Sequence, residues 1–274
     1  MIRTAYVGLC FTSFLLLAGE SHAGLIGYAT GPDPWGFTNN QSAMNTVFGA
    51  GNWNQLDFST PAGAATLNSA LTGGQYSLIY IDGGDGASTN FDNFVTTYPN
   101  ALQTFVSNGG SLVVNAARWT FDPLNLGFGG VTLNQPGYGG ASFTGTAVNP
   151  ADPLFQNLGY GSPGTSWSGN YFSHDYLTGP AGTTEIIGSV GQTVLSEENY
   201  GSGFVMFGGI TDPFFQSPSA EAFSLRDNML AVAAAHANFA PVPEPGTVTL
   251  LGLGLAGFMG FGLMHKRKST VNAE

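Results

Sequence analysis

Tyr76-Ser77-Leu78-Ile79-Tyr80-Ile81 is a near-continuous apolar run that breaks at Asp82-Gly83-Gly84-Asp85-Gly86. An apolar stretch of this length between turn residues is what a strand covered on both faces requires. Downstream, Ala101, Leu102, Phe105 and Val106 fall on one helical face, and Asn108-Gly109-Gly110 closes the helix. Ser111-Leu112-Val113-Val114-Asn115 then reads as a second buried strand. Strand, helix and strand in succession predict an α/β domain with a mostly parallel sheet flanked by helices.

The pattern extends in both directions. Leu25 to Ala29 reads as a strand ending in the turn-rich Thr30-Gly31-Pro32-Asp33-Pro34, and residues 40–48 as a short helix. Residues 54–58 form a weaker strand, and Pro61 to Leu71 a helix stopped by Gly73-Gly74. From Trp119 to Gly182 the signals are short, glycine-rich and aromatic, which predicts small strands and long loops. Residues 185–190, 192–196 and 203–207 read as strands, the first two paired across Gly191. A last helix is expected to about Ala237, with Ser217 as N-cap and Pro218 at the first helical position.

Both termini carry address signals. Arg3 precedes an uncharged apolar stretch, Ala5 to Gly19, and Ser21-His22-Ala23 supplies small residues for signal-peptidase cleavage after Ala23. At the other end, Thr247 to Met264 holds no charge and would rise roughly 27 Å as a helix, enough to span a bilayer. Lys266, Arg267 and Lys268 come directly after it, so the positive-inside rule leaves the C-terminus in the cytoplasm. The order Pro243-Glu244-Pro245, apolar helix and basic tail resembles the PEP-CTERM sorting signals of Gram-negative bacteria. That resemblance implies an exosortase as partner, cutting near the Pro-Glu-Pro and delivering the protein to the cell surface or exopolysaccharide matrix. The expected organisation is a signal peptide at 1–23, an ectodomain at 24–240, a linker and sorting motif at 241–246, a transmembrane helix at 247–264 and a basic tail at 265–274.

Composition narrows the ectodomain further. It carries fourteen carboxylates against two cations, Arg118 and Arg226, which makes nucleic acid and anionic lipid poor partners. The only cysteine, Cys10, lies within the expected signal peptide, so the mature chain should have no thiol.

Three segments together resemble class I glutamine amidotransferase-like, flavodoxin-like domains. They are Tyr76–Asp82, the helix running into Asn108-Gly109-Gly110-Ser111-Leu112-Val113-Val114, and Gly201 to Gly209 before the last helix. The resemblance implies a nucleophilic cysteine on the turn after the second of these strands, where this chain has Asn115-Ala116-Ala117-Arg118. It also implies Phe-His-Pro-Glu after the late strand, where Phe207-Gly208-Gly209-Ile210 stands. Nucleophile, histidine and glutamate are all missing, so the fold analogy does not carry the activity and no catalytic residue is assigned.

Ligands bind beyond the carboxyl ends of parallel strands, which singles out Asp33, Asp82, Asp85, Arg118 and Asp212, with Trp119 as a stacking platform for sugar. Asp82 and Asp85, with Asn90 and Asp92, offer hard oxygen ligands suited to calcium, although their spacing is not that of an EF-hand loop. No other cofactor is implied. Trp167 to Phe172 could stack on sugar or fill the core, and His174 is expected to hold a loop by hydrogen bonding. The expected function is a binding or structural ectodomain at the cell surface. The alternative is a secreted polysaccharide hydrolase using a carboxylate pair.

Overall fold

The structure, a computed structural model, describes residues 24–136, 142–179, 184–189 and 191–237. The signal peptide expected at 1–23 and the motif, transmembrane helix and tail expected over 241–274 lie outside the described residues. Among the described residues no helix is long and apolar enough to cross a membrane.

The first half alternates strand and helix: β1 (Leu25–Thr30), α1 (Asn39–Phe48), β2 (Asn54–Asp57), α2 (Pro61–Thr72), β3 (Tyr76–Asp82), α3 (Ser88–Thr97), α4 (Ala101–Ser107) and β4 (Ser111–Asn115). Short strands come next: β5 (Leu124–Gly127), β6 (Val131–Asn134), β7 (Ser142–Ala147), β8 (Ser166–Ser173), β9 (Tyr176–Thr178), β10 (Thr184–Ser189) and β11 (Gln192–Tyr200). The chain then returns to the parallel sheet with β12 (Gly203–Gly208), adds β13 (Gln216–Ser217) and ends in α5 (Ser219–His236).

The parallel part runs β2-β1-β3-β4-β12, with order reversing at the β1–β3 boundary. Beyond β12 every pairing is antiparallel, through β11, β10, β7, β8 and β13, with β5, β6 and β9 as a side branch. The expected parallel sheet is thus one half of a mixed sheet.

Strand periodicity explains why helices cover both faces. Ile79, Ile81, Leu112, Val114, Val205 and Phe207 point to one side and pack with α2, α3 and α4. Leu78, Tyr80, Val113, Phe204 and Met206 point to the other and pack with α1 and α5. Each of these strand residues is buried. At β12 the packing needs a missing side chain, because a Cβ on Gly203 would lie 2.2 Å from the Val106 carbonyl oxygen.

Local rules set several ends. Thr60 caps α2 by accepting a hydrogen bond from the Gly63 amide at 3.1 Å, with Pro61 at the start of the helix. The hairpin across Gly191 forms, with Ser189 opposite Gln192 and Gly191 at φ 77°. Two readings change. Helix α3 was not expected; it buries Phe91, Phe94 and Val95, an i, i+3, i+4 set that carries the helical signal. Ser217 is not the cap of the last helix, because it pairs with Ser168 in the sheet and α5 starts one residue after Pro218.

Candidate ligand face at the strand ends

The strands β1, β3, β4 and β12 present their carboxyl ends together, and the order reversal between β1 and β3 marks where a doubly wound sheet would open a crevice. Here that crevice is filled. Asp82 is 2% exposed, and its Oδ2 accepts from Asn40 at 2.8 Å, Tyr80 at 3.0 Å and Asn115 at 3.4 Å. Its Oδ1 accepts from the Gly84 amide at 2.8 Å. Arg226 comes from α5 beneath the sheet, lies 3.8 Å from Asp82, donates to the Tyr80 hydroxyl, and donates to the Thr211 carbonyl at 3.0 Å. Burial raises the Asp82 carboxyl above the usual range, while Arg226 and the donors around it pull it back. Every part of this network faces inward. It pins α1, α5, β3 and β4 rather than presenting a charge to solvent.

Arg118 has a different job from the one expected of it. It is fully buried, donates to Asp175 Oδ1 from Nε at 3.0 Å and Nη2 at 2.8 Å, and also reaches Asp92 at 3.1 Å and the Leu133 carbonyl at 3.0 Å. Its own amide donates to Asp175 Oδ2 at 2.6 Å. The guanidinium ties the loop after β4 to the β8–β9 connection, α3 and β6, and it is directed at these partners rather than at solvent.

The turn after β4, Asn115 to Arg118, is equally closed. Ala116 and Ala117 are buried, the Ala116 amide donates to the Gly208 carbonyl at 2.8 Å, and the Ala117 carbonyl accepts from Asp85 at 3.1 Å. With the Arg118 amide held by Asp175, two of the turn's backbone donors are spent and cannot serve a developing oxyanion. A histidine after β12 would not fit. A Cβ on Gly209 would sit 2.1 Å from the Asp175 carbonyl oxygen, and one on Gly208 would sit 2.7 Å from Asn115 Oδ1.

What the strand ends do expose is aromatic. Trp119 is 39% and Tyr171 38% exposed, and both lie against the buried His174 ring, with centroids 4.2 and 5.9 Å away. Trp35 packs edge-on to the same imidazole at 5.7 Å. Asp85 locks two of these rings in place: its Oδ2 accepts from the Trp35 amide at 2.6 Å and its Oδ1 from Trp119 Nε1 at 3.0 Å. Among the described residues, three of the four non-glycine positions with positive φ meet here: Trp35 at 53°, Asp85 at 47° and Tyr171 at 61°. Left-handed backbone at bulky residues is held only where surroundings over-determine it, and it concentrates at functional sites. Burial lowers the His174 pKa, so the imidazole under the platform is neutral at pH 7. Phe214, 61% exposed, extends the aromatic surface through Phe37.

The remaining candidates take supporting places. Asp33 accepts both oxygens' bonds from Gln41 at 3.1 Å, and Asp212 Oδ1 accepts from Asn39 at 2.7 Å and the Phe214 amide at 2.8 Å. Of the residues expected to suit calcium, Asp82, Asp85 and Asp92 are drawn to three different sets of partners, and the described residues hold no group of three His, Cys, Asp or Glu side chains placed to bind a metal ion. Trp167 and Phe172 are core residues, buried and stacked at 6.1 Å. Neighbouring Tyr171 faces outward in the irregular part of β8, where the pairing with β7 shifts register and Tyr171 has left-handed backbone. Trp35 is the site residue that sequence reasoning missed, whereas Tyr171 belongs to the aromatic run 167–172, which the sequence leaves able either to stack on sugar or to fill the core. Nothing in Pro34-Trp35-Gly36 announces a left-handed tryptophan, since that conformation depends on Asp85, fifty residues away.

A second group of acids lies on the α5 side of the antiparallel sheet. Glu197 and Asp152 line a cavity of about 350 Å³ with Tyr160, Leu158, Val232 and His236. Burial, then the nearby Asp152, push Glu197 up to about 7; burial raises Asp227 on α5 to about 6. Both folded values exceed the unfolded ones near 4, so the native state binds more protons across this interval. This contribution to stability is complete below the unfolded value and is lost as pH rises through about 6 and 7. The thermal midpoint should therefore be higher at pH 5.5 than at pH 8, and Glu197→Gln should flatten the slope. A midpoint that climbs steadily with pH would contradict the assignment.

The fold and face thus define a mixed α/β domain with a closed strand-end crevice and an exposed aromatic surface. Residues 241–267 match the model of the PEP-CTERM protein-sorting motif, which indicates an exported protein targeted to an exosortase and held at the membrane before processing. No curated protein matches the sequence. Among solved structures, a ThuA-like protein from Bacteroides uniformis is 13% identical over 81% of this chain and 95% of that one, with a TM-score of 0.45. The cytoplasmic protein STM1381 from Salmonella typhimurium is 14% identical over 77% of this chain and 99% of its own, TM-score 0.44. A cold-adapted β-galactosidase from Rahnella is 12% identical over 76% of this chain, TM-score 0.41, and the match spans only 31% of that enzyme.

Proposed function

We propose that this exported chain displays, at the cell surface or in the exopolysaccharide matrix, a non-catalytic domain that binds polysaccharide through its strand-end aromatic face. The scaffold in this reading is amidotransferase-like, with the family's chemistry removed and its crevice packed shut. The observation that carries the proposal is the Trp35–Trp119–Tyr171 group around His174: Asp85 bonds both tryptophans, Trp35 and Tyr171 have left-handed backbone, and the Trp119 and Tyr171 rings are left open to solvent. Core packing does not require half-exposed rings fixed in this way. Sugar rings do, because their C–H faces stack on aromatic faces at little cost in conformational freedom. Exosortase processing delivers the domain to where such polymers are.

Trp119→Ala and Tyr171→Ala should each weaken retention of the protein on its producer's exopolysaccharide by roughly tenfold or more, as loss of an aromatic anchor does. Thermal stability should hardly move, because both side chains are more than a third exposed. Affinity electrophoresis through gels containing that polysaccharide reads the effect; unchanged mobility shifts in both variants would end the proposal.

A second reading, a carboxylate-pair polysaccharide hydrolase, has one observation in its favour: Glu197 sits in the cavity with its proton affinity raised beside Asp152. Under that reading the protein releases reducing ends from the polymer, and Glu197→Gln abolishes the release.

A further inference from the structure

We infer that an uncharged hexose unit of the same polymer occupies a second subsite, the cavity between α2 and α3 at the carboxyl end of β2. This inference rests on the polysaccharide reading above and adds to it the charge class and length of the ligand. The cavity measures about 190 Å³ and none of its lining side chains is charged. In a domain with fourteen carboxylates that is itself selective: nothing there repels a neutral sugar, and nothing pairs with a uronic acid or a phosphate.

The lining has two kinds of surface. Asn90, Asn93 and Thr97 fall at i, i+3 and i+7 on α3 and so share one face, opposite Thr60 at the start of α2. Neither asparagine side chain is engaged by a protein hydrogen bond among the described residues, which leaves amide donors and acceptors for sugar hydroxyls. Phe94 and Tyr98, with ring centroids 5.5 Å apart, supply an apolar surface beside them. Amides and hydroxyls next to aromatic rings, without charge, make up the chemistry a pyranose presents in reverse.

Position ties the cavity to the platform. The Phe58 amide donates to the Thr30 carbonyl at 3.2 Å, which brings the loop after β2 to the end of β1. A Cβ on Gly31 would lie 3.6 Å from Asn90 Nδ2, and four residues further on Trp35 is held by Asp85. The strand order places the cavity at β2 and Trp119 after β4, three strand spacings away, roughly 14 Å at about 4.8 Å each. A polymer lying across the strand ends reaches both, whereas a disaccharide stacked on the platform does not. Joining two weak contacts through one chain raises affinity by making the second intramolecular.

The test uses the full-length chain in detergent and neutral gluco-, manno- and galacto-oligosaccharides, each as disaccharide and hexasaccharide, with oligogalacturonate hexamer as the charged counterpart. Calorimetry and tryptophan fluorescence read binding. At least one neutral hexamer should bind roughly tenfold or more tightly than its disaccharide. Asn93→Ala, at an exposed position, should remove that gain and leave disaccharide affinity and the thermal midpoint as they are. Trp119→Ala should remove binding of both lengths. If no neutral sugar of either length binds, the polysaccharide reading itself falls. If the hexamer binds no better than the disaccharide, or Asn93→Ala leaves hexamer affinity intact while Trp119→Ala abolishes it, the platform stands and the second subsite is overturned. Equal binding of the galacturonate hexamer would overturn the assignment of an uncharged ligand.

Discussion

Arg118→Ala should destabilise the ectodomain by about 3–5 kcal/mol, the cost of leaving a buried carboxylate without its partner. Asp175 would keep the Arg118 amide and lose both guanidinium bonds, in a place where its carboxylate is 1% exposed. For a domain of this length the thermal midpoint should fall on the order of 10 °C. The double variant Arg118→Met with Asp175→Leu removes both charges at once, and should be less damaging than Arg118→Ala alone. Urea denaturation of the three proteins measures the coupling. A midpoint for Arg118→Ala within about 2 °C of the parent would mean that the guanidinium behaves as a surface group. Loss of glycan retention in this variant would say nothing about contact, since the loop carrying Trp119 hangs from the same residue.

Deleting the chain after Pro241 should abolish sorting altogether. The deletion removes Pro243-Glu244-Pro245, the apolar stretch and Lys266-Arg267-Lys268, and with them nearly all of residues 241–267, which match the PEP-CTERM motif. In a host with an exosortase the full chain should lose its basic tail, which mass spectrometry detects as a smaller C-terminal peptide. In a host without one it should keep the tail and stay with the membrane fraction, because about eighteen uncharged residues followed by three cations form a stable anchor. The shortened version should be released in both hosts. Retention of the tail in both hosts would leave an anchor and remove the processing step.

The sequence by itself determined the alternation of the first half. Buried strands such as Leu78–Ile81 and Leu112–Val114 must be apolar on both faces, and that demand is written locally as an unbroken run. That no cysteine stands in the turn after β4 and no histidine directly after β12 is likewise a fact of the sequence alone. Asp85 and Trp119 were found at the strand ends because a topological rule assigns the loop after each parallel strand to one edge of the sheet. The tertiary structure alone decided which residues at those ends face solvent. Arg118 and Asp82 read as ligand groups because they are charged and sit at strand ends, yet their partners Asp175, Asp92, Asn40 and Arg226 come from distant segments. Trp35 and Tyr171 meet around His174 through backbone conformations that their own sequences disfavour, with Asp85 bonded to the Trp35 amide and Thr211 to the Tyr171 carbonyl. Pattern and topology are local or nearly so, and a sequence records them. Burial of a charge and exposure of a ring are set by what packs from elsewhere in the chain, and only the folded molecule fixes them.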